Sequence, residues 1–69
     1  MYLRTYDLFS GSVDNHPLWL ESVRGLESAF VRMRERADYA PGPYFVLDSM
    51  SQTVLAQIDT SKTEDPVRA

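Results

Sequence analysis

The chain has no cysteine, so no disulfide can staple it. Its single histidine, His16, cannot supply the His/Cys ligand set that zinc requires, and no metal or cofactor is expected. No apolar run approaches the ~20 residues of a membrane-spanning helix. The opening stretch, Met1 to Asp7, lacks the basic segment and apolar core of a secretory signal. The expected compartment is therefore the cytoplasm, and the lack of cysteine suits it. There is no P-loop, no dinucleotide-type glycine pattern, no HExxH and no calcium loop. Basic charge is not in excess either. The formal net charge of −3 argues against general affinity for nucleic-acid backbones or anionic membranes.

What remains is ordinary globular material. With 69 residues there is room for one domain, and 43% hydrophobic against 25% charged residues is a folding composition. A domain this small buries only about 60% of the surface its unfolded chain exposes. Small folds often compensate with disulfides, a metal or oligomerisation. The first two are removed by composition, which leaves oligomerisation.

Residues 2–9 are rich in Tyr, Thr and Phe and read as a strand with neither face cleanly apolar. Ser10 to Pro17 is turn chemistry. Residues 18–24 admit two readings. As a strand, they pair with the first, and Gly25 is the joint before a helix. As helix, they extend it back to Pro17, because Trp19, Val23, Leu26, Phe30, Met33 and Ala37 draw one stripe at 3.6-residue period. A mid-helix Gly25 would then cost about 1 kcal/mol relative to Ala, so the strand is preferred. From Leu26 to Tyr39 both readings give a helix, with Leu26, Ala29, Phe30, Met33 and Ala37 on one face. Ala40-Pro41-Gly42-Pro43 stops it. Residues 44–47 and 53–58 then form a hairpin around a polar turn at 48–52.

The expected fold is α+β, a ββαββ domain over residues 1–60 with a four-stranded antiparallel sheet and one amphipathic helix on one face. The alternative is βαββ with a long helix over 17–39. Residues 61–69 read as a flexible polar C-terminal tail.

The final hairpin holds more apolar residues than one helix can cover. Phe45 and Leu47 fall on one side of their strand, Tyr44 and Val46 on the other. An antiparallel sheet can leave one face to water, but that face is usually polar. An apolar uncovered face is the expected interface, and its candidate residues are Tyr6, Trp19, Tyr44, Val46 and Leu55. The function expected is a small interaction module that self-associates through its β-sheet, as a homodimer, and that takes a protein partner. The bland alternative is that these residues are half-buried by their neighbours.

A different class of function rests on Arg24, Arg32, Arg34 and Arg36, which would bind an anion or a nucleic acid. Two-residue steps rotate about 200° around a helix, so the last three diverge, and Glu27, Glu35 and Asp38 stand among them. A solvated helix face is the better reading, and nucleic acid is not the expected partner. Ser10, Ser12, Asp14 and His16 share one loop and include acyl-transfer residue types, yet such loops arise as turns in most domains. No enzyme activity is expected.

Overall fold

The computed structural model describes residues 4–60. Four strands and one helix follow in the order β1 (Thr5–Ser10), β2 (Leu18–Arg24), α1 (Leu26–Tyr39), β3 (Pro43–Asp48) and β4 (Thr53–Asp59). They make a four-stranded antiparallel sheet, ordered β2-β1-β3-β4, with the helix packed on one side. The fold is the expected ββαββ arrangement. Tyr2 and Leu3 of the expected first strand, and the expected tail over 61–69, lie outside the described residues.

The long helix over 17–39 is not formed, because Leu18–Arg24 pairs with β1 from Thr5↔Arg24 to Ser10↔Leu18. Gly25 decides this locally. It stands at φ 93 and ψ 134, a conformation closed to residues with a Cβ, and its N–H donates to the Arg4 carbonyl at 2.8 Å. The strand thus ends tied to the sheet, and the helix starts from the Gly25 carbonyl, which accepts from Ala29 N–H at 3.0 Å. Glu27 sits in the first turn, where a carboxylate suits the helix dipole.

The core lies between helix and sheet. Ala29, Met33 and Ala37 of α1 meet Tyr6 and Leu8 of β1 and Tyr44 and Val46 of β3, while Leu20, Val23, Phe30, Ala56 and Ile58 pack around them. Leu26 departs from the expected stripe and is partly open to solvent at the helix start. Register explains the sheet's contribution: Tyr44 faces Ile58, and Val46 stands between Leu8 and Ala56. Tyr44 has a second role. Its hydroxyl donates to the Ala40 carbonyl, an oxygen left over at the helix C-terminus, and lies 3.3 Å from that of Arg36, which already accepts from Ala40 N–H.

One carboxylate is buried with the core. Asp48, at the end of β3, accepts from Met50 N–H at 3.0 Å and pairs with Arg4 at 2.8 Å. The Met50 hydrogen bond, aided by the Arg4 charge and by Ser51, holds its carboxyl below the usual carboxylate range against the opposing effect of burial.

Candidate interaction surface

The side of the sheet away from the helix is built by simple alternation along the strands. On β1 it takes Thr5, Asp7 and Phe9, because Tyr6 and Leu8 point to the helix. Phe9 is paired with Trp19 on one side and Phe45 on the other, so the three rings form a row across β2, β1 and β3. The Phe9 and Phe45 rings stack with centroids 4.8 Å apart and planes 6° from parallel. Phe45 is buried, yet it stands apart from the cluster beneath the helix. Trp19 is 54% exposed at the end of the row.

The neighbouring row is Ser22, Asp7 and Leu47. Asp7 Oδ1 accepts from Ser22 Oγ at 2.8 Å and from Trp19 Nε1 at 3.3 Å. The indole is thereby held against the strand edge with its N–H satisfied and its ring face open. The result is an aromatic strip with one carboxylate beside it.

Of the residues expected at an interface, Trp19 and Leu55 are exposed, at 54% and 42%. Tyr6, Tyr44 and Val46 require correction: they lie under the helix and are buried within the chain, Val46 completely. The two sides of β3 were expected the other way round. Both sides are apolar, and the small residues Ala29 and Ala37 let the helix settle on the tyrosines, one of which also caps its C-terminus. The residues that belong on the open side and were not expected there are Phe9, Phe45, Leu47 and Asp7. One signal was present: Thr5 and Asp7 share a side of β1, which marks that side as the one left to water.

Of the four arginines only Arg32 and Arg36, four residues apart and so on one helix face, come together, and the divergence expected of them is corrected. Arg32 Nε lies 3.3 Å and Arg36 Nη2 3.1 Å from the same Glu21 Oε2, and Arg32 also reaches Glu35 at 3.8 Å. Arg24, paired with Thr5, falls on the opposite side of the sheet by alternation. Arg34 lines a notch with Ala37, Asp38, Ile58 and Thr60 and makes no ion pair among the described residues. Asp38, four residues on, does not pair with it. A groove of about 430 Å³ runs between α1 and β2, lined by Val23, Glu27, Ser28, Val31, Arg32 and Glu35.

Ser10, Ser12, Asp14 and His16 sit at the end of β1 and on the loop after it. Among the described residues no hydrogen bond joins their side chains, and no group of three or more His, Cys, Asp or Glu could hold a metal ion. No helix among the described residues is long and apolar enough to cross a membrane. No protein-family model matches the chain, and no curated protein or solved structure matches it either.

Proposed function

We propose that this chain is a small interaction module that self-associates through its β-sheet. The observation that carries the reading is incomplete cover. One helix packs mainly over β1, β2 and β3 on one side and meets β4 only at its margin, while the other side keeps Trp19 and Leu55 in solvent. A contiguous apolar surface on a small domain is a common mark of a partner site. A second copy also adds buried surface to a fold whose own core consists of few large side chains.

Light scattering from micromolar to near-millimolar concentration tests the reading. A mass that climbs from 7.9 kDa toward twice that value supports self-association. A mass that stays at the monomer value throughout removes it.

A further inference from the structure

Among the described residues the sheet ends in two edge strands, β2 and β4, and they are unlike. Edge strands are templates for further strands unless charge, proline, bulges or cover blocks them. On β2, Glu21 turns in beneath the helix to Arg32 and Arg36, and Arg24 ends the strand. Inward-pointing charge is a strong block of this kind. On β4 the run Thr53 to Ile58 has no charge and no proline, and Asp59 comes only at its end. The helix packs chiefly over β3, β1 and β2 and touches β4 only at its margin, where Ala56 and Ile58 reach the core and a notch of about 140 Å³ remains beside Ile58. Each edge carries one bulge, at Leu20 on β2 and at Leu55 on β4, so bulges do not separate the two.

The backbone phase of β4 follows from its ladder. The Pro43 carbonyl accepts from Gly11 N–H at 2.8 Å and so faces β1, while Thr60 N–H donates to the Gly42 carbonyl at 3.1 Å. Antiparallel pairs alternate between bonded and non-bonded. Gly42–Thr60 is bonded, Pro43–Asp59 is not, Tyr44–Ile58 is, and Phe45–Gln57 is not. The N–H and C=O of Gln57 therefore turn to the outer edge.

We propose that β4 is the seam at which two copies of this chain join, antiparallel, into one continuous sheet. The proposal rests on the self-association reading and names the surface that carries it. The occupant is a second copy because the strand complements itself. Turned about Ala56, it brings the Thr53–Leu55 end of one copy against the Gln57–Asp59 end of the other, the bulge at Leu55 taking up one residue, and no like charges meet. The other sheet surfaces fail this test. β2 turned about its middle residue sets Glu21 upon Glu21. Stacking of the two open faces brings two Asp7 carboxylates into an interface emptied of water, where an uncompensated charge is costly.

The experiment pairs light scattering with amide exchange of the full chain, on the wild type, Gln57→Pro and Leu55→Lys. Proline at position 57 removes an outward N–H and leaves the β3 ladder intact. Lysine at position 55 charges the same edge without altering the backbone, which covers the case in which proline unfolds the strand. The expected result is that the wild-type mass doubles, that Gln57 N–H becomes protected over the same concentrations, and that the folded variants stay monomeric. A doubled mass with freely exchanging Gln57 N–H, unchanged in both variants, overturns the seam and leaves self-association standing. Monomer mass at every concentration overturns both.

Discussion

Asp48 and Arg4 lie 2.8 Å apart and tie the end of β3 to the residue just before β1. Asp48 is almost closed to solvent, while Arg4 is about half exposed, so the carboxylate is the constrained partner. The Met50 N–H, the Arg4 charge and Ser51 all favour its ionised form.

Stability is therefore expected to fall in acid through this group. The folded pKa of Asp48 lies below its unfolded value, so its contribution is fully present above about pH 4–5. It fades as pH drops through the depressed folded value. Urea midpoints from pH 7 to pH 2 check this: wild type exceeds Asp48→Asn at neutral pH, and the gap closes in acid. A gap that persists unchanged at pH 2 contradicts the assignment.

Leu8 is fully buried and Leu55 is 42% exposed, so their truncation separates core from surface. Leu8→Ala is expected to cost about 2–5 kcal/mol. That is a large part of the roughly 3–10 kcal/mol available to a chain of this length. Leu55→Ala is expected to remain within about 0.5 kcal/mol at concentrations where the chain is monomeric. Chemical denaturation at low micromolar concentration measures both.

Gly25→Ala places a Cβ at φ 93 and is expected to destabilise by about 1–3 kcal/mol. The helical content of the folded protein by circular dichroism should not rise. A gain in helix would mean that the stripe from Trp19 to Ala37 takes over once the joint is lost.

Glu21→Gln releases Arg32 and Arg36 from their shared acceptor. Both arginines are substantially exposed, so the loss should be under about 1 kcal/mol and should shrink as salt rises. Wild-type protein is expected not to bind labelled single- or double-stranded nucleic acid at low salt, where backbone contacts are strongest. Saturable binding by the wild type would restore the arginines as a site.

The element order was legible in the residues themselves. The turn residues after Ser10, Gly25 and Pro41-Gly42 break the chain where the structure breaks it, and the stripe of Ala29, Met33 and Ala37 is the buried side of the helix. These are local matters of turn chemistry and period, except over residues 18–24, where the stripe from Trp19 to Ala37 also allowed a helix and pairing with β1 decides for the strand. The sides of the sheet were not legible. Phe45 and Leu47 are as apolar as Tyr44 and Val46, so a period of two separates the pairs without saying which meets the helix. Tertiary structure decided it, through the fit of Ala29 and Ala37 against the tyrosines and the hydroxyl of Tyr44 at the helix end. The arginines follow the same division. That Arg34 turns away from Arg32 and Arg36 follows from sequence spacing alone, but Glu21 reaches Arg36 from fifteen residues away, and only the packing of α1 beside β2 brings them within 3.1 Å. The difference between the two edges is likewise mixed. The absence of charge from Thr53 to Ile58 belongs to the sequence, whereas the fact that β4 is an edge, and one the helix meets only at its margin, belongs to the fold.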